Sequence, residues 1–214
     1  MKISVLILTH NRPKLFTRCI QSVFSAYDLC PIDLEILVNN DSHDITELYK
    51  LGVDIIYSYD SNHNIGLTYK MLFDKASREY IYYLEDDDIM DIKFFDELSK
   101  HSSDIFYFNY VPYKVTTDFI KYFEYTKAHL NSTKDQFLDG FNDFNFQMGQ
   151  MCFKKTALPY GAFPVNNYIK NDFVIFKSLV GSFKALDKHL YKQTIDGKDN
   201  ISFQIYNKDP RWIN

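Results

Sequence analysis

Short β-prone apolar runs alternate with stretches of helical periodicity along roughly the first hundred residues, and this alternation restricts the fold more than any other feature. Ile3–Thr9 is continuous and apolar, as in a strand buried on both faces. Pro13 suits the first turn of a helix, and Leu15, Phe16, Cys19, Ile20, Val23 and Phe24 then recur at three- and four-residue spacing. Leu34–Val38 reads as a second strand, Val53–Tyr57 as a third and Tyr80–Leu84 as a fourth. Between the last two, Asn62–Gly66 forms a turn and about Leu67 to Ser77 a helix, with Met71, Leu72 and Ala76 inward. A helix carrying Ile92, Phe95 and Leu98 follows, then the strand Ile105–Tyr110. Crossovers of this length require a mainly parallel sheet flanked by helices. Ligands of such sheets bind beyond the carboxyl ends of the strands. The polar clusters at 9–12, 39–44 and 85–88 all fall there.

The second half is less regular. Residues 111–146 show no clean period, and Gln147–Phe153 reads as a strand. Pro164–Val180 turns helical in its later part, with Phe173, Phe176 and Val180 on one side, and Asp196-Gly197 marks a turn within Tyr191–Phe203. No repeat, low-complexity tract or linker interrupts the 214 residues, so residues 1–214 are expected to form one α/β domain. With 46% hydrophobic and 17% aromatic residues, the chain can build a sizeable core, and disorder, collagen and coiled coil are excluded. Cys19, Cys30 and Cys152 have no zinc-binding spacing and suit a reducing compartment, with Cys19 and Cys152 as core residues. No apolar run approaches the roughly 18 residues of a membrane span, so the expectation is a soluble, cytoplasmic protein.

Net charge is -4, but unevenly spread: residues 1–109 hold 10 Lys/Arg against 18 Asp/Glu, and residues 110–214 hold 14 against 10. The front half suits cations, and the back half mildly tolerates anions or simply carries a solvated surface. The sharpest acidic feature is Glu85-Asp86-Asp87-Asp88, directly after the fourth strand. Four adjacent carboxylates repel one another and call for a counter-charge, for which hard Mg²⁺ or Mn²⁺ with oxygen ligands is the natural one. An extended backbone would put Asp86 and Asp88 on one side and Glu85 and Asp87 on the other, so the first pair can clamp an ion. The alternative is that these acids favour the N-terminus of the helix opening near Asp91. No GxSxG, GxxxxGK[ST], HExxH or GxGxxG occurs, which leaves nucleophile-elbow hydrolases, P-loop enzymes, zincins and dinucleotide oxidoreductases without support.

Taken in order, several of these segments resemble family 2 glycosyltransferases, which have the GT-A fold. Ser4-Val5-Leu6-Ile7-Leu8-Thr9-His10-Asn11-Arg12 resembles the family's first strand and loop, and Leu34–Asp44 its second strand and acidic turn. Asn64-Ile65-Gly66-Leu67 resembles its Asn-x-Gly turn, and Tyr80–Asp88 the strand that ends in its D-x-D metal motif. The resemblance implies a GT-A fold with a nucleotide-sugar-binding half at 1–110 and an acceptor-binding half at 111–214. It implies a nucleotide pocket drawn from Thr9, Asn11, Arg12, Asn39, Asn40, Asp41, Asn64, Gly66, Asp86 and Asp87, with Mn²⁺ or Mg²⁺ held by Asp86 and Asp88. Gly161-Ala162-Phe163-Pro164 followed by Asn171-Asp172 is similar to the segment carrying the acceptor-side Glu-Asp pair. By that likeness Asp172 is the general base of an inverting transfer, with Asn171 in place of the Glu and Gln147 and Gln150 as acceptor or sugar contacts.

Two departures bear on the donor. Asn39 and Asn40 stand where many relatives have an aspartate that pairs with uracil; an amide can still read a base edge, and a UDP-sugar remains favoured. No histidine in Tyr191–Ser202 matches the late metal or phosphate contact of relatives, although His189 lies just before. The implied acceptor is a hydroxyl on a glycan or lipid-linked saccharide, or on a hydroxymethylated base in DNA as in phage enzymes of the host cytoplasm. In the DNA case Lys154, Lys155 or Lys170 would contact phosphate. Two other readings stay open. A sugar nucleotidyltransferase is disfavoured because Thr9–Pro13 has no glycine, and a non-catalytic nucleotide-sugar-binding module is kept open by Asn39 and Asn40.

Overall fold

A computed structural model describes residues 1–10, 12–40, 54–57, 65–113, 148–160, 162–163 and 171–194, with 54–57, 65, 111–113, 171–173 and 194 as backbone. Along the chain run β1 (Lys2–Thr9), α1 (Pro13–Leu29), β2 (Asp33–Asn40), β3 (Asp54–Tyr57), α2 (Ile65–Lys75), β4 (Tyr80–Glu85), β5 (Ile89–Met90) and α3 (Phe94–Ser99). Next come β6 (Ile105–Tyr113), a 3₁₀ turn at Met148–Gln150, β7 (Met151–Lys154), another 3₁₀ turn at Lys155–Ala157, α4 (Asn171–Ser178) and β8 (Phe183–Thr194).

The strands form a single sheet in the order β3-β2-β1-β4-β7-β6-β8-β5. The first four are mutually parallel, as the crossover lengths demand. β7 is antiparallel to both β4 and β6, β8 runs parallel to β6, and the short β5 is antiparallel to β8. The mainly parallel expectation therefore holds for these first four strands, while the later strands make the sheet mixed.

Both faces are covered, which is why the early strands are apolar without alternation. On one face Ile3, Val5, Ile7, Tyr82 and Leu84 pack with Phe16, Cys19, Ile20 and Val23 of α1 and with Phe94, Phe95 and Leu98 of α3. On the other, Leu6, Leu37, Ile81 and Tyr83 pack with Tyr69 and Leu72 of α2 and with Ile175 and Phe176 of α4. Cys19 and Cys152 are buried, as expected.

Three local expectations are corrected. Ile92 precedes α3 and is 49% exposed, so Phe94 takes its place in the core. Val180 lies beyond the end of α4 and is 58% exposed. Residues 148–150 form a helical turn, so the strand expected from Gln147 starts only at Met151. Among the described residues no helix is long and apolar enough to cross a membrane.

Candidate functional site

The carboxyl ends of β2, β1 and β4 lie side by side. Thr9 pairs with Asn40, and Leu8 with both Asn39 and Glu85. Two of the three polar clusters thus meet the acid run at one edge of the sheet. Thr9, Asn39, Asn40, Asp86, Asp87 and Asp88 are all buried there. The Asn39 Oδ1 atom is enclosed without a hydrogen-bond partner among the described residues.

The backbone turns sharply within the acid run. β4 ends at Glu85, and the Asp88 amide donates to the Glu85 carbonyl at 3.0 Å. α1 lies along this turn: Arg18 donates to the Asp87 carbonyl, the Cys19 thiol to the Glu85 carbonyl at 3.4 Å, and the Met90 amide to Ser22 Oγ at 2.9 Å.

The turn corrects the pairing of Asp86 with Asp88 that an extended chain would give. Carboxylate oxygens of Glu85, Asp87 and Asp88 lie within 4.8 Å of one another. Asp86 is instead drawn to β1 and the start of α1. It accepts from Thr9 Oγ1 at 2.8 Å and from Arg12 Nε at 3.2 Å, and a terminal nitrogen of Arg12 lies 2.5 Å from its other oxygen. Arg12 also reaches Asp87 at 2.9 Å. Nor do these acids open a helix, because β5 intervenes and α3 starts at Phe94. Glu85 and Asp87 are the cluster members that alternation placed on the other side.

The electrostatics follow from burial. Desolvation pushes Asp86 up to about 7 even though Arg12 and the Thr9 hydroxyl favour its charged form. For Arg12, burial opposes the charge but is outweighed by Asp86, Asp87 and Glu85, so its pKa rises. The Cys19 thiol, buried beside three aspartates, is held well above its ordinary value.

Three oxygen donors this close, two of them buried, fit a hard divalent cation and would hold it through Glu85, Asp87 and Asp88. Among the described residues β8 also reaches the site: the Tyr191 hydroxyl donates to Asp88 Oδ2. Neither Tyr191 nor its neighbour Gly149 was expected at the site. Register shifts opposite Asn109 break the alternation of β8, burying both Leu190 and Tyr191, so periodicity gave no signal.

Other expected residues are distributed unevenly. Gly66 is buried in the first turn of α2. Gln150 is fully enclosed and donates to the Phe108 carbonyl at 3.2 Å. Asn171 and Asp172 start α4, with their side chains outside the described residues, as are Asn11, Asp41, Asn64, Gln147 and Lys170.

Lys154 and Lys155 sit at the opposite end of the sheet from the acid turn. Lys154 pairs with Tyr80, five residues before Glu85, or roughly 17 Å away along β4. Its ammonium meets Asp104 at 3.1 Å and Glu79 at 3.6 Å, while Lys155 donates to the Ala76 carbonyl at 2.6 Å.

A parallel sheet with an acid turn at its carboxyl edge, continued by antiparallel strands, defines the GT-A class of fold. More particularly, this chain belongs to glycosyl transferase family 2, whose model matches residues 4–160. In fold it is similar to a crystal structure of S. aureus TarS 1-349 in complex with UDP-GlcNAc, with a TM-score of 0.72 and 18% identity over 94% of this chain and 61% of that one. It is likewise similar to the S. aureus TarS 1-349 crystal structure without that complex, with a TM-score of 0.67 and 17% identity over 91% of this chain and 60% of that one. The chain therefore spans about three fifths of the length of these relatives. No curated protein matches the sequence.

Proposed function

We propose that this chain is a metal-dependent, inverting glycosyltransferase that moves a sugar from a nucleotide-sugar donor, a UDP-sugar by preference, to an acceptor hydroxyl. The observation that carries this is the convergence of Thr9, Asn39, Asn40 and the Glu85–Asp88 turn on one carboxyl edge of the sheet in a family 2 chain. The likeness to a TarS structure in complex with UDP-GlcNAc supports the choice of donor.

Residues 1–110 bind the donor and residues 111–214 the acceptor, within one domain. Glu85, Asp87 and Asp88 would hold Mn²⁺ or Mg²⁺. Held there, such an ion would supply positive charge against the departing diphosphate. Thr9 and Arg12 hold Asp86 in place, and Arg12 places a cation at the carboxyl edge, where a donor diphosphate would lie. Asp172 takes the acceptor proton as the acceptor oxygen attacks the anomeric carbon. The new C–O bond forms as the sugar–diphosphate bond breaks, and its electron pair leaves with the diphosphate.

The acceptor is a glycan or lipid-linked saccharide rather than hydroxymethylated DNA. This choice is supported by Lys154 and Lys155, which are paired with acids and carbonyls far from the acid turn. The test is release of nucleoside diphosphate from a donor offered with glycan and with hydroxymethylated-DNA acceptors. Asp172→Asn is expected to abolish release while leaving donor affinity within two-fold, an on-the-order-of threshold for an intact binding site. Full turnover in that variant removes Asp172 as the base.

A further inference from the structure

Asp88 is 1% exposed and crowded by two other carboxylates, so mutual repulsion works to swing it away from any shared geometry. Its neighbour Asp87 is restrained by Arg12 at 2.9 Å. Asp88 is restrained from the other end of the chain, by the hydroxyl of Tyr191.

Tyr191 is itself fixed with little freedom. It lies on β8 opposite Met90, two residues after Asp88, and the Asp91 amide donates to the Leu190 carbonyl at 3.0 Å. The strand that carries the hydroxyl is thus pinned to the segment that carries the carboxylate. The Tyr191 ring is fully buried and rests on Gly149: a Cβ added there would lie 2.3 Å from ring carbon Cε2. Only a residue without a side chain leaves room for the ring. The carbonyl of the same glycine accepts the Tyr82 hydroxyl at 2.9 Å, which holds the notch against β4.

We infer that Tyr191, seated on Gly149, is a positioning residue for the cation site: its hydroxyl fixes the Asp88 carboxylate and thereby sets the affinity for a divalent cation. The inference rests on the metal-dependent reading above. A hydroxyl that merely filled a hydrogen-bonding vacancy in the core would influence stability and leave cation affinity alone, whereas partners that orient a ligand typically set affinity by about 10–100-fold.

The test is Mn²⁺ binding to the full chain, by electron paramagnetic resonance titration with and without UDP, for wild type, Tyr191→Phe, Asp88→Asn and the double variant. Tyr191→Phe is expected to weaken Mn²⁺ binding about 10-fold or more. In the Asp88→Asn background it is expected to add less than about two-fold, because the two act through one contact. Gly149→Ala, which keeps the hydroxyl but displaces the ring, is expected to reproduce the loss, so the inference does not hang on one variant folding. A wild-type Mn²⁺ signal unchanged in Tyr191→Phe and in Gly149→Ala, or losses that multiply in the double variant, overturns the inference alone. A wild type with no Mn²⁺ signal under either condition overturns the metal reading and the inference together.

Discussion

Removing the guanidinium of Arg12 while keeping its apolar stem, as in Arg12→Met, measures how strongly the acid turn depends on a built-in counter-charge. The Arg12 side chain is 18% exposed and that of Asp86 is not exposed at all, with contacts of 2.5 and 3.2 Å between them and 2.9 Å to Asp87. Breaking a buried pair from one side costs about 3–5 kcal/mol when the remaining charge has no escape. Asp86 has one, because burial already holds its carboxyl at about 7 and loss of Arg12 moves it higher. Protonation therefore limits the cost, and we expect about 2–3 kcal/mol at neutral pH, or a fall in Tm of roughly 5–10 °C for a chain of this size.

The pH dependence has a definite sign. An acid whose folded pKa lies above its unfolded value lowers stability as pH rises through that range, so the deficit of Arg12→Met grows from pH 6 to pH 8. Urea unfolding followed by circular dichroism at the two pH values is the assay. A loss under about 0.5 kcal/mol at pH 8 would refute the argument, since that is the range of an ordinary surface change.

Three further outcomes follow from the same geometry. Gly149→Ala must displace a fully buried ring by more than an ångström and is expected to cost about 2–3 kcal/mol in urea unfolding; a cost under about 0.5 kcal/mol contradicts the tight seat of Tyr191. Asp104 is held at about 2 by the backbone amide and hydroxyl of Ser182 and by Lys154, but it is a third exposed, so Asp104→Asn should cost less than about 1 kcal/mol at pH 7. Because that carboxylate is depressed, its contribution is present above about pH 4 and fades as pH falls toward 2, so the wild-type and variant curves should converge there and not above. Asp88→Ala should keep the native circular dichroism spectrum and abolish Mn²⁺-dependent nucleotide binding; retained metal-linked binding would remove Asp88 from the cation site.

The front half of the molecule was legible because its strands are buried on both faces and its helices carry one apolar stripe. Ile3–Thr9 and Tyr80–Leu84 could only be central strands, and Phe16, Cys19, Ile20 and Val23 could only face them. The acid run was equally visible, but its internal geometry was not. Alternation assumes extended backbone, and the turn after Glu85 regroups the carboxylates as Glu85, Asp87 and Asp88, sending Asp86 to Arg12. β8 escaped because its register shifts bury Leu190 and Tyr191 in succession, which no period of two can reveal. Gly149 escaped for a different reason: its role is to leave space for a ring more than 40 residues away, and no local pattern records that.

The most direct test of the account is a calorimetric titration of the wild-type chain with UDP, GDP, CDP and their common sugars, each with and without Mn²⁺. The account predicts binding of the uridine ligands that strengthens when Mn²⁺ is present, with the other nucleotides weaker. No binding by any nucleotide in either condition would contradict it and leave the acid turn as a structural feature held by Arg12.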